Sequence, residues 1–125
     1  MNLSPQDLLD ARILIVDDLP ANVALLQELL LREGYTQVHS TMDSTTVAAL
    51  HRETPFDLIL LDLLMPGMDG FQELERLQAD ATGDYVPVLV VTAIPEHKLR
   101  ALRAGAKDFV SKPFDLVELQ RAFAT

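Results

Sequence analysis

Cysteine is absent from the 125 residues, so neither a disulfide framework nor thiolate chemistry is open to this chain. Cations are few. Ten Lys and Arg stand against 19 Asp and Glu, a formal net charge of −9. That balance argues against a surface built to neutralise nucleic-acid phosphates and against an anionic membrane; solubility accounts for most of the acidity. No apolar run approaches the ~20 residues of a membrane helix. Met1 to Asp10 has no basic stretch leading into an apolar one, so it does not read as a signal peptide, and a cytoplasmic location is expected. No serine sits in a Gly-x-Ser-x-Gly elbow. His39, His51 and His97 show no ligand spacing and read as surface residues.

Nearly half of the residues, 49%, are hydrophobic, which excludes a disordered chain and allows one domain with a real core. The apolar residues come in runs. Leu58-Ile59-Leu60-Leu61 is short enough for one strand buried on both faces, with Asp62 next and Pro66-Gly67 beyond as a stop. Ile13-Leu14-Ile15-Val16 hands over to Asp17-Asp18, Val88-Leu89-Val90-Val91 to Thr92, and the weaker run Ala106 to Ser111 to Lys112-Pro113. If the strands are parallel, all these polar residues share one sheet edge, and in open α/β sheets that edge binds ligands.

Between the runs lie helical patterns. After a polar lead-in over 1–11 and a strand from Arg12 to Val16, Pro20 suits a first helical turn. Val23, Leu26, Leu29 and Leu30 follow at helical spacing up to Arg32, and Gly34 fits a left-handed stop. Thr36 to Thr41, the least apolar strand, belongs near the sheet edge. Asp43 and Ser44 are candidate caps for a helix through Arg52, closed by Pro55. Phe71, Leu74 and Leu77 give an amphipathic helix its buried face. Strand four spans Pro87 to Val91. Pro95 opens a short helix with a thin apolar side of Leu99, Leu102 and Ala104, ended by Gly105. Asp115 and Glu118 have capping-box spacing, and Leu116, Leu119 and Phe123 would face inward from the last helix. Asp57, Asp69 and Asp115 read as turns and caps. Five strand–helix units imply an α/β fold: a parallel sheet with helices on both faces and right-handed crossovers.

At the shared edge Asp17, Asp18 and Asp62 would lie together. Two unit charges ~4 Å apart repel by about 4 kcal/mol at an effective dielectric of ~20. Lys112 supplies one positive charge, and a hard divalent cation such as Mg²⁺ can supply the rest, since it takes carboxylates, water and phosphate oxygens. Acids, a lysine and a hydroxyl suit a phosphoryl group. With no thiol and no serine elbow, the candidate nucleophile is a carboxylate. Asp62 stands alone on its strand, whereas Asp17 and Asp18 look like a metal-holding pair; attack by Asp62 gives an acyl phosphate. Taken singly, an Asp at a strand end is more often a turn or cap, Thr92 an ordinary cap, Lys112 a solvated lysine and Phe109 a core residue.

Four motifs in order make the sequence resemble the receiver domain of two-component response regulators: Asp17-Asp18, Asp62 with Met65-Pro66-Gly67-Met68-Asp69-Gly70, Thr92-Ala93, and Lys112-Pro113-Phe114. The resemblance runs from about Arg12 to the end. It implies a flavodoxin-like, doubly wound five-stranded parallel sheet of order 2-1-3-4-5. It implies Asp62 as phosphoacceptor for a histidine kinase or phosphotransfer protein, Asp18 as a direct Mg²⁺ ligand, Asp17 as one acting through water, and Leu64 as a donor through its backbone carbonyl. Lys112 would contact the phosphate, Thr92 would turn toward it, and Phe109 would hold the aromatic switch position. The face of helix four, strand five and helix five would then change shape toward a homodimer partner, an output domain or a protein target, with no nucleic acid bound by this domain itself. Leu64 and Ile94 stand where polar residues are common in the family, and both would shield an acyl phosphate from water, which predicts slow self-dephosphorylation. The single domain, 1–125, is expected to be either the N-terminal part of a longer regulator or a stand-alone one.

Two other classes compete. A haloacid-dehalogenase-like phosphohydrolase would also use Mg²⁺ and an aspartyl intermediate, but it needs Asp-x-Asp after the first strand, where this chain has Asp17-Asp18-Leu19-Pro20. A mononucleotide binder needs a glycine or hydroxyl run in that loop, and none is there.

Overall fold

The computed structural model describes residues 10–43, 46–62, 64–65, 68–80, 87–92 and 95–111. Five strands form one sheet: β1 Arg12–Val16, β2 Gln37–Thr41, β3 Leu58–Leu61, β4 Val88–Thr92 and β5 Asp108–Ser111. Every pairing is parallel and the order is β2-β1-β3-β4-β5, the expected 2-1-3-4-5 arrangement. Four helices connect them: α1 Pro20–Arg32, α2 Val47–Glu53, α3 Gly70–Asp80, and α4 Lys98–Arg103, which follows a 3₁₀ turn at Pro95–His97. The expected last helix, with Asp115, Leu116, Glu118, Leu119 and Phe123, lies outside the described residues, as does most of the lead-in. One feature is new: Leu64–Met65 and Met68–Asp69 pair antiparallel with each other, apart from the main sheet.

The apolar runs are continuous because both faces of the central strands are covered. Leu14, Val16, Ile59, Leu61, Val88 and Val90 face one side, with Val47 of α2, Phe71, Leu74 and Leu77 of α3, and Ala101 of α4. Ile13, Ile15, Leu58, Leu60, Leu89, Val91 and Val110 face the other, with Val23, Leu26 and Leu30 of α1. Each such side chain removed from water is worth roughly 1.5–3 kcal/mol. β2, the least apolar strand, lies at the edge as its sequence predicts.

Stops behave as expected at Gly34 and Gly105, whose φ values of 100° and 109° suit glycine alone among common residues. The Asp57 carboxylate accepts the Arg12 amide at 2.8 Å, which ties the start of β3 to the start of β1 across 45 residues and is not the local turn or cap expected. Other details differ. α2 has Thr46 at its N-cap position, with no side-chain capping bond of its own; the Asp43 carbonyl accepts the Thr46 hydroxyl at 2.7 Å. The Ser44 cap lies outside the described residues. β5 starts at Asp108 rather than Ala106, because the Ala106 amide still bonds back to Ala101. Leu99 and Leu102 are exposed and Ala101 is the residue α4 buries. His51 is not a surface residue: it is half-buried, its Nδ1 accepts the Phe56 amide at 3.1 Å, and its ring stacks on Phe56.

Candidate functional site

The ladder registers bring the polar handover residues to one edge. β1 and β3 end their pairing at Val16 and Leu61, so Asp17 and Asp62 emerge side by side. The Asp62 amide donates to the Val16 carbonyl at 3.0 Å, and the Asp17 amide to the Thr41 carbonyl at 3.3 Å. The carboxylates of Asp17, Asp18 and Asp62 each offer an oxygen, and these oxygens lie within 4.8 Å of one another. Asp17 is 2% exposed and Asp62 6%, while Asp18 is half-buried. The Asp17 Oδ1 accepts the Leu19 amide at 3.0 Å, which fixes its side chain in a local turn.

Carboxylates so placed repel one another and resist desolvation. Oxygen-only donors around a gap of this size fit a small hard cation such as Mg²⁺. A second observation bears on the same edge. Thr92, the last residue of β4, is fully buried, and its Oγ1 has no hydrogen-bond partner among the described residues, whereas buried hydroxyls are nearly always paired.

Of the other expected site residues, Phe109 is half-buried and packs against the cluster on the α2–α4 face. Its ladder partner is Val90, so strand alternation puts Phe109 and Thr92 on the same face as diagonal neighbours. Leu64 lies in the short antiparallel pair, opposite Asp69. Lys112 follows Ser111, the ladder partner of Thr92, and lies outside the described residues. One cluster escaped the sequence reading: Phe71, His97 and Arg100. The His97 ring meets Phe71 edge-on at 5.2 Å, and the Arg100 guanidinium stands 3.9 Å from the centre of the same ring. No local spacing signals a contact between α3 and the turn before α4. His97 is half-buried, not the surface residue expected.

A doubly wound parallel sheet with three acids gathered at its C-terminal edge defines a class: open α/β domains whose strand ends form a ligand-binding edge. The particular family follows from comparison. The family model described as the response regulator receiver domain matches residues 13–124, and the chain belongs to that family. It is 43% identical over 113 residues to the response regulator PleD of Caulobacter vibrioides, a match covering 89% of this chain and 25% of PleD. It is 37% identical over 107 residues to protein PilH of Pseudomonas aeruginosa, covering 84% of this chain and 88% of PilH. Among solved structures, the chemotaxis protein CheY4 of Vibrio cholerae superposes with a TM-score of 0.82 at 27% identity, covering 92% of this chain and 97% of that one. The chain therefore spans about a quarter of PleD and most of PilH. Among the described residues no helix is long and apolar enough to cross a membrane.

Proposed function

We propose that this domain takes a phosphoryl group onto the Asp62 carboxylate from a histidine kinase or phosphotransfer protein, and passes the event on as a change of shape. The single observation that carries the reading is the pocket itself: three carboxylates within 4.8 Å and a buried Thr92 hydroxyl without a partner at one edge. In the transfer, an Asp62 oxygen forms the new bond to phosphorus as the phosphorus–nitrogen bond of the phosphohistidine breaks. Asp17, Asp18 and Asp62 would hold Mg²⁺, with the Leu64 carbonyl as a further donor; the ion would supply positive charge to offset the phosphoryl oxygens. Lys112 contacts the same oxygens, and Thr92 donates its hydroxyl to one of them. Thr92 moving inward frees space on the α2–α4 face, into which Phe109 turns.

The changed surface includes α4 and β5, and its users are a second copy of the chain, an output domain or a separate target. The domain signals and does not turn over a substrate of its own. The apolar side chain of Leu64, with Ile94, supports a long-lived acyl phosphate; a half-life of seconds in purified labelled protein would count against that. The main test uses acetyl phosphate and Mg²⁺. Stoichiometric labelling of the wild type, lost in Asp62→Asn, is expected. Steady turnover of a generic phosphomonoester would replace this reading with a phosphohydrolase.

A further inference from the structure

Two buried side-chain polar atoms have no hydrogen-bond partner among the described residues, Thr92 Oγ1 and His97 Nδ1. Thr92 ends β4 and His97 ends the 3₁₀ turn before α4, so the two flank the step from strand to helix. An unpaired buried polar atom is costly.

His97 has an obvious alternative. It stands at the N-cap position of α4, where an acceptor side chain bonds the amide of the second or third helical residue, here Leu99 or Arg100. A working cap has an extended backbone; His97 has φ −79° and ψ −6°, in the right-handed helical region, and makes no side-chain capping bond. It closes the 3₁₀ turn Pro95–His97 instead, with its ring against Phe71. α4 gains little from its own first turn. That turn has no acid, and Lys98 at its first position opposes the helix dipole. Only Ala101 of this helix is buried, with Leu99 and Leu102 exposed. So few anchors make a low-stability element.

We propose that His97 is a positioning residue for phosphoryl uptake, acting through α4. Its ring packs on Phe71 with Nδ1 unpaired, or it swings off Phe71, the 3₁₀ turn opens, and Nδ1 caps α4. The proposal rests on the phosphoacceptor reading above: a phosphoryl group that draws in Thr92 pulls on the same connection, so the ligand that pairs Thr92 favours the arrangement that pairs His97. A ligand shifts such an equilibrium only through its different affinity for the two arrangements, and His97 sets their starting ratio.

The test is affinity of the full chain for beryllium fluoride with Mg²⁺, a tetrahedral phosphoryl mimic, followed by amide NMR. Asn is a strong cap and has no ring for Phe71, so His97→Asn should bind about fivefold tighter, the factor a typical cap corresponds to. His97→Phe keeps the ring contact and cannot cap, so it should bind about fivefold weaker. His97→Ser, another cap, should repeat the sign of His97→Asn. The Leu99 or Arg100 amide should take on a hydrogen-bonded shift when the mimic binds to the wild type. A residue that only packs on Phe71 would move His97→Asn and His97→Ser toward weaker binding and leave His97→Phe near the wild type; that result overturns the proposal, as do variants equal to a labelled wild type. A wild type that binds no beryllium fluoride and takes no label from acetyl phosphate at Asp62 overturns the phosphoacceptor reading as well.

Discussion

The Asp62 amide donates to the Val16 carbonyl at 3.0 Å. This bond extends the β1–β3 ladder one step past its last pair, Val16 with Leu61, and sets Asp62 beside Asp17. Two acids on neighbouring strands thus leave the sheet at the same height, both buried, and the third acid of the pocket follows Asp17 directly. Their closeness is a consequence of strand register, so it persists as long as the sheet does.

That trio concentrates negative charge at one edge, and removing one charge should lower the local Coulomb cost. Asp18→Asn leaves Asp17 free to keep its bond to the Leu19 amide while lowering the charge of the pocket. In metal-free buffer the variant should gain about 1 kcal/mol of unfolding free energy, a part of the Coulomb cost at these separations after solvent screening. Calorimetric titration should show Mg²⁺ binding weakened tenfold or more. At a hundredfold excess over its dissociation constant Mg²⁺ should stabilise the wild type by about 2.7 kcal/mol; an equal gain in Asp18→Asn at the same concentration would put the ion elsewhere.

Thr92→Val removes the unpaired hydroxyl and keeps the branched shape. A buried polar atom without a partner costs about 1–3 kcal/mol. The variant should therefore be as stable as the wild type or more so, by up to about 2 kcal/mol in urea unfolding, while the shape change on phosphorylation is lost. A loss of stability above about 1 kcal/mol would mean that the hydroxyl is paired in solution.

The sheet was legible in the sequence because buried parallel strands are written as unbroken apolar runs, and each run ended in a polar residue with no role inside a core. Arg12 to Val16 was bounded correctly for that reason, and so were Asp17, Asp18 and Asp62 placed on one edge. α4 was misread. Leu99 and Leu102 have the spacing of a buried face, but spacing cannot say which side of a short helix meets the sheet. The small Ala101 does, and it lets α4 lie close to the cluster that holds Val88 and Ala106. The His97 partner Phe71 comes from another element, α3, and the His51 partner Phe56 lies in the loop just past α2, a reach of five residues that helical spacing does not signal. A direct check follows. Leu99→Ser and Leu102→Ser should each change stability by less than about 0.5 kcal/mol, whereas Ala101→Leu should cost about 1–3 kcal/mol by overpacking. The reverse ranking in urea melts would show that α4 is turned around.

Tyr35 gives the fold a pH dependence of its own. It follows the Gly34 stop, its amide bonds the Leu30 carbonyl at 3.1 Å, and its half-buried ring packs against the α1-side core. Burial, and then the nearby Glu33 carboxylate, raise its pKa above the ordinary 10.0. Between the ordinary and the raised value the folded chain keeps a proton that the unfolded chain has lost. Stability from this group is therefore complete below about pH 9.5 and falls as pH rises through 10 and beyond. The observable is a difference between two proteins that share every other group. Urea midpoints of wild type and Tyr35→Phe, taken from pH 7.5 to pH 10.5, should run parallel at first and then diverge, the wild type falling faster. Glu33→Gln should narrow the gap without closing it, because burial is the larger cause. A wild type that gains on Tyr35→Phe with rising pH would mean that the phenolate is favoured in the folded chain, against both burial and Glu33.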